Sequence, residues 1–453
     1  MIDRTKPPVP KDEIIYSPPG FTETKLNNGV PVFHTEKNSL PIVQINIIVN
    51  VGSSADPVFK QGLTNLLAVT IDEGANGFSS LEIDNKLEAL GTLFSINVEP
   101  ENTFFTMMTL KKNLEKSLEL LSWILQKPNF SEEDFNREKS RILDEIKRLK
   151  DSPAFVADYV LAQNLFKDTP FSYLNLGTTE TLNNITLHDV KSQYQKYFSS
   201  KNMSVVAVGN LSENEFSGIM NKYFSELNKD FKKSHLDFTL RTHKRHFHLI
   251  NKPGATQSEI RIANLATGRH SPDFFGKKLA NSILGGQFSS RLNHNLREEK
   301  GITYGVSTFF KYTKEFGSFN ASTAVDSANT VLAVKEFYKE FDLIRQEISE
   351  EEIAFAKSYA RKLFPLQFAS YSKIATNNTN LVVFDLRKDF YKTYIEELGS
   401  VTKDEILRSA QTNILPEAQQ VVIVGDVNSF IDELTEFAGE DTISRYELED
   451  IKI

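Results

Sequence analysis

Phe288-Ser289-Ser290-Arg291-Leu292-Asn293-His294-Asn295-Leu296-Arg297-Glu298-Glu299-Lys300-Gly301 has already occurred, in outline, earlier in the chain. Phe78-Ser79-Ser80 matches its first three residues. In the same register, 210 residues apart, Asn85, Glu88 and Gly91 match Asn295, Glu298 and Gly301. A chance triplet does not hold register in this way. A second pair of anchors closes each copy: Val205-Val206-Ala207-Val208-Gly209-Asn210 and Val421-Val422-Ile423-Val424-Gly425-Asp426. A repeat this long is a duplicated domain, because solenoid units recur every ~20–50 residues.

Working outward, the two copies read in the same order. Ile42–Val49 is β-branched and partly alternating, as a strand would be. Helices follow from Lys60 to Ile71 and from Ser80, which is placed to cap its helix, to Leu90. Phe104–Leu110 reads as a strand, and Leu114–Leu125 and Glu132–Lys150 carry helical periodicity, the latter stopped by Asp151-Ser152-Pro153. A helix from Leu187 to Phe198 and the strand at Val205 close the copy. The expected fold is α+β: two homologous domains of about 220 residues, spanning 1–230 and 236–453. Each is a mainly antiparallel sheet covered by helices on one face. The polar segment Asn228–Ser234 is the expected linker.

Composition removes several function classes. The 453 residues carry a net charge of −8 with the two signs interspersed, which argues against a nucleic-acid partner held by phosphate neutralisation. There is no cysteine, so disulfides, thiolate metal sites and cysteine nucleophiles are excluded. No window approaches the ~18 consecutive apolar residues of a membrane span, and Met1–Pro8 lacks the apolar run of a signal peptide. The expected location is cytoplasmic, or periplasmic if a signal peptide has been removed. No phosphate-cradling loop, G-x-S-x-G elbow or cofactor fingerprint is present.

Several motifs are highly specific in combination. They are Asn27-Asn28-Gly29-Val30, Gly62-Leu63-Thr64, Gly74, Leu90-Gly91, Gly177-Thr178, Pro253-Gly254-Ala255-Thr256-Gln257, Leu284-Gly285-Gly286 and Leu296–Tyr304. With these the chain resembles the inverted-motif (H-x-x-E-H) zinc peptidases, a family that includes insulysin, pitrilysin and mitochondrial processing peptidase. The resemblance implies a clamshell of duplicated halves. One half of such an enzyme supplies H-x-x-E-H and a further glutamate ligand. Another supplies an arginine and a tyrosine that grip the substrate backbone. The short Leu284–Phe288 loop looks more like the bacterial two-chain members than the glycine-rich α-subunits of the mitochondrial enzyme.

Mapped onto that family, Asn65 stands at the first histidine, Ala68 at the glutamate base and Val69 at the second histidine. The third ligand lands on Glu145 and the accessory glutamate on Glu138. A zinc site normally takes three protein ligands plus water, so Glu145 alone cannot hold the metal. It reads instead as a helix carboxylate paired with Arg141 or Arg148. The arginine and tyrosine survive as Arg297 and Tyr304. From spacing alone Arg297 would pair with Glu298 or Asp273, and Tyr304 would be an ordinary aromatic entering a strand. The family match assigns both to substrate instead, an arginine fork suiting a peptide carbonyl and a tyrosine hydroxyl a developing oxyanion.

The resemblance therefore implies a non-catalytic, substrate-binding subunit that holds no metal itself. It would work on extended peptides beside a homologous catalytic chain carrying H-x-x-E-H and zinc, as a heterodimer or a dimer of heterodimers. A structural scaffold, like the core subunits of respiratory complex III, is the competing expectation. A third is a metal site at His246 and His248, which share one face of a strand but read as a solvated edge.

Overall fold

In a computed structural model, which describes residues 16–232 and 237–453, the two copies build sheets of matching topology. The end of the expected linker, Lys233 and Ser234, lies outside the described residues. The first copy contains β1 (Thr22–Lys25), β2 (Pro31–Glu36), β3 (Ile42–Val49), α1 (Leu63–Thr70) and α2 (Ser80–Ala89). It continues with β4 (Leu93–Val98), β5 (Thr103–Leu110), α3 (Leu114–Gln126), α4 (Glu132–Lys150) and α5 (Pro153–Leu165). It ends with α6 (Leu187–Tyr197), β6 (Met203–Gly209) and α7 (Glu213–Tyr223). The second copy has β7 (His246–Asn251), β8 (Gln257–Thr267), α8 (Phe274–Leu284) and a π-helix over Asn293–Glu299. Then come β9 (Val306–Tyr312), β10 (Phe316–Asp326), α9 (Thr330–Gln346), α10 (Glu350–Leu363) and α11 (Tyr371–Val383). The last elements are α12 (Phe390–Ser400), α13 (Lys403–Asn413), β11 (Gln420–Gly425), α14 (Ile431–Ala438) and β12 (Ile443–Glu447).

The first sheet runs β1-β2-β6-β3-β5-β4 and the second β12-β7-β11-β8-β10-β9. In each, the closing strand of the copy slots between the first two long ones. β6 lies parallel to β2 and antiparallel to β3; β11 lies parallel to β7 and antiparallel to β8. The sequence anchors fall on equivalent places. Gly91 and Gly301 both take the left-handed conformation, φ +61° and +63°, after the second helix of each copy.

The sheets are covered on one face by helices of their own half. Their other faces are covered by exchange. Val156, Ala157, Val160 and Leu161 of α5 bury against Ile250, Ala263, Val422 and Val424 of the second sheet. In return Ile374, Ala375 and Leu381 of α11 pack with Ile48, Val206 and Val208 of the first. This explains why β3 and β11 are buried along nearly their whole length, rather than on alternate residues.

Under α11 the buried face of β3 carries two polar residues, and they are satisfied across the exchange. Ser372 Oγ donates to Gln44 Oε1 (3.1 Å), Gln44 Nε2 to Asn46 Oδ1 (3.0 Å), and Asn46 Nδ2 to Thr379 Oγ1 (3.1 Å). Asn378 Nδ2 donates to Thr35 Oγ1 (2.9 Å) on β2. Buried amides without such partners would each cost ~1–3 kcal/mol. The hydrogen bonds therefore fix how α11 sits as well as how tightly.

The histidine strand corrects the sequence expectation. β7 is an interior strand between β11 and β12, and His248 is buried. Its Nε2 pairs with Gln420 Oε1 (3.0 Å), and burial holds the imidazole at a pKa of about 4. His246 and His248 do share a face, with ring centres 4.8 Å apart, and His246 Nε2 meets Ser444 Oγ at 2.8 Å.

Candidate functional site

The degenerate motif sits on α1, whose start is built around a buried carboxylate. Asp56 accepts from Gly62 N (2.9 Å), Thr64 N (3.0 Å) and Thr64 Oγ1 (2.5 Å). It thereby satisfies amides that a helix start leaves open. Burial pushes its pKa up to about 7 despite those donors. Gly62 precedes the helix at φ +91°, and a Cβ there would sit 2.5 Å from the carbonyl oxygen of Leu176. Only glycine lets the segment around Gly177 lie so close, which is the physical content of the paired Gly62 and Gly177 motifs.

Along α1, Asn65 and Val69 are half-buried and four residues apart, hence on one face, and Ala68 is buried. The helix packs against α4, which carries Glu138 and Glu145. Glu138 is buried and paired with Arg141 (2.6 Å) and, more loosely, Arg137 (3.4 Å). Arg137 also binds Glu73 and Asp134, each at 2.5 Å. Arg141 is thus engaged by Glu138, and no ion pair reaches Glu145 among the described residues, contrary to the expected pairing with Arg141 or Arg148. Close by, burial pushes Asp72 up to about 7, with the charges of Glu73, Asp84 and Glu138 acting in the same direction.

The zinc that an intact H-x-x-E-H helix would hold does not fit this donor set. On the mapping to H-x-x-E-H, Asn65, Ala68 and Val69 offer an amide, a methyl and an isopropyl group in place of two imidazoles and a carboxylate. Among the described residues no three histidine, aspartate or glutamate side chains come together to hold a metal ion.

The second half presents a different surface. Arg297 lies within the π-helix, a form that tends to occur at functional sites, and Tyr304 lies in the bend that follows. The sequence placed Tyr304 at the entry of a strand. In the structure β9 begins only at Val306, and the tyrosine is 96% exposed. Gly305 and the anchoring of its neighbours cause the difference. Thr303 Oγ1 donates to Ala324 O (2.9 Å), and Thr323 Oγ1 donates to Gly305 O (3.0 Å). These bonds pin the bend and leave the phenol side chain outside.

The spacing of Arg297 and Tyr304 is set by Asn293, which is buried. Its Nδ2 donates to Val306 O (2.9 Å) and its Oδ1 accepts from Val306 N (3.0 Å), clamping the start of β9 to the start of the π-helix. Asn295 holds Glu336 (2.8 Å) and Glu340 (2.9 Å), Lys300 pairs with Glu336 (3.3 Å), and His294 takes Glu298 (3.0 Å) and Glu299 (3.3 Å). The surrounding carboxylates are thereby occupied. Asp273, the other expected partner of Arg297, instead binds Lys277 (3.3 Å), Thr267 and Asn413. Arg297 makes no ion pair among the described residues; its guanidinium carbon stands 4.0 Å from the ring centre of Phe288. Sequence reasoning used Phe288 only as a repeat anchor and passed over Asn293. Neither role has a sequence signal, since both depend on the π-turn.

The two sites differ in what they can do. Beside α1, Glu73, Asp134, Arg137, Glu138 and Arg141 are tied to one another, and the described residues there form no metal ligand set. Beside the π-helix, neither the arginine fork nor the phenol has a hydrogen-bond or ion-pair partner among the described residues. Each sheet also ends in an unpaired strand edge on this side of its topology, β4 in the first and β9 in the second.

Two family models match the chain: insulinase (peptidase family M16) over residues 32–179 and the peptidase M16 inactive domain over residues 184–359. An uncharacterized zinc protease of Rickettsia felis is 26% identical, over 75% of this chain and 82% of its own length. The non-peptidase homolog YmxG of Helicobacter pylori is 23% identical, over 85% and 90%. Cytochrome b-c1 complex subunit 1 of Caenorhabditis elegans is 22% identical, over 86% and 83%. The crystal structure of a peptidase M16 inactive domain from Pseudomonas fluorescens superposes with a TM-score of 0.84 at 22% identity, covering 89% of this chain and 98% of that one. It has the same fold. Two abutting models that together span most of the sequence, on a duplicated α+β architecture, give one conclusion: the chain belongs to the insulinase-like M16 family, with that family's inactive C-terminal domain.

Proposed function

We propose that the chain is the non-catalytic, substrate-binding subunit of a heterodimeric zinc metalloendopeptidase acting on extended peptides or unfolded segments. The observation that carries this reading is a contrast. On the family mapping the α1 face has no imidazole and no base, whereas Arg297 and Tyr304 match the substrate-gripping pair and Arg297 makes no ion pair among the described residues. A helix kept after its ligands are gone serves the fold; an arginine kept free of carboxylates serves a ligand. The partner is a homologous chain with intact H-x-x-E-H, whose zinc and activated water perform the hydrolysis. Facing it across the clamshell, Arg297 donates to a substrate carbonyl and Tyr304 donates its hydroxyl proton to the developing oxyanion. The peptide binds by adding a strand to an open sheet edge, its backbone supplying affinity without sequence preference. The relative named a non-peptidase homolog, similar along most of its length, agrees with this reading.

The test is co-purification of the chain from its native source, identification of the bound protein by mass spectrometry, and assay of the recombinant pair on an unfolded protein. The pair should cleave and the isolated chain should not. A homologous partner whose activity is the same with and without this chain would overturn the reading. A complex without proteolysis would favour the scaffold alternative, for which the likeness to a cytochrome b-c1 subunit is the supporting observation.

A further inference from the structure

We propose that Phe288 is a positioning residue for Arg297, acting through its ring face. The inference rests on the reading that Arg297 grips substrate. Phe288 is 63% exposed, so burial explains little of its presence there. Its close contact is the guanidinium, 4.0 Å above the ring centre. A carboxylate could orient the same arginine, but it would take two of the five N–H donors and cancel the charge. An aromatic face attracts the cation through its quadrupole and leaves every donor at the guanidinium edge available. The neighbouring carboxylates are held by Asn295, Lys300 and His294, so the ring supplies the remaining directional attraction.

The repeat offers a comparison. Phe78, the counterpart of Phe288, also carries a cation on its face, Lys86 Nζ at 4.6 Å. There the ring is stacked on Trp123 (5.4 Å, 11° between planes). In the second half the ring has no stacking partner among the described residues, and the cation on its face is an arginine one position out of register with Lys86.

The experiment measures binding of fluorescein-labelled β-casein, an unfolded probe, to the full chain by fluorescence anisotropy. Arg297→Ala should weaken binding about tenfold. Phe288→Leu, which keeps apolar bulk but has no quadrupole, should weaken it about three- to fivefold, and Phe288→Tyr and Phe288→Trp should stay within about twofold of the parent. Adding Phe288→Leu to Arg297→Ala should cost nothing further. Phe288 is exposed, so its replacement leaves the core intact, and unchanged thermal unfolding of each variant checks this. If Arg297→Ala binds like the parent, or the parent does not bind, the gripping role of Arg297 fails. If Arg297→Ala weakens binding while Phe288→Leu does not, or the two losses add, the positioning role of Phe288 fails and the gripping role stands.

Discussion

Thr379→Val tests whether the exchanged helices make the two halves one folding unit. Thr379 on α11 is buried, and its hydroxyl accepts from Asn46 Nδ2 at 3.1 Å, the last link of the chain that starts at Ser372. Valine keeps the shape and removes the acceptor, so the Asn46 amide, itself only 8% exposed, loses its partner inside the protein. Leaving one neutral buried donor unsatisfied costs ~1–3 kcal/mol. Unfolding entropy of ~2 cal/mol/K per residue makes that a fall in Tm of only ~1–3 °C for a chain this long. Urea unfolding at fixed temperature is therefore the better assay, followed by two probes at once. Trp123, the sole tryptophan, reports on the first half by fluorescence, and far-ultraviolet circular dichroism, to which the helices of both halves contribute, reports on the whole chain. Both midpoints should fall together, and Asn46→Ala combined with Thr379→Val should cost less than the sum of the single changes. Separate transitions, with the loss confined to one probe, would refute the idea that the exchange couples the halves.

Three further outcomes follow from the sites. Asn65→His with Val69→His gives α1 two imidazoles on one face of a helix that packs against α4, the carrier of Glu145, and should raise bound zinc, measured by atomic emission, from none to about one per chain; no uptake would mean that Glu145 does not face α1. Asp56 has a folded pKa of about 7, above its ordinary value near 4, so the fold takes up its proton. Its contribution to stability is greatest at low pH and is lost as pH rises from about 4 to 7. His248, with its pKa lowered to about 4, works in the opposite sense below its ordinary value, so parent and variant must be compared. Relative to the parent, Asp56→Asn should remove ~2 kcal/mol of the gain between pH 7 and pH 5 in urea titrations, and an identical pH dependence would show that Asp56 is ionised under α1. In the reconstituted pair, Arg297→Ala and Tyr304→Phe should each lower kcat by about 10- to 1,000-fold without weakening the complex on gel filtration; full activity would reject the assigned roles.

Much of the architecture was legible in local pattern. The helix over Glu132–Lys150 and the strands at Val205 and Val421 form where periodicity and β-branching place them. The duplication, read from a handful of matched residues, fixes the order of two sheets. What was missed was set at long range. α5 went unread because Pro153–Leu165 offers little polar contrast along its length. The surface it needs belongs to the other half. The burial of β7 depends on β12, contributed almost two hundred residues later, so the histidines looked like an edge. At the site, residue identities singled out Arg297 and Tyr304, but not their surroundings. The π-turn, the Asn293 clamp and the bend at Gly305 arise from hydrogen bonds that spacing does not encode.

The swap of α5 and α11 has a practical consequence for anyone dissecting the molecule. A fragment ending near residue 230 would leave one whole sheet face bare and carry α5 with nothing to lie on, and the complementary fragment would do the same with α11. Neither piece is a sensible expression target on its own. Produced together in one cell, however, the two should find each other and rebuild the native particle, since each holds the missing wall of the other.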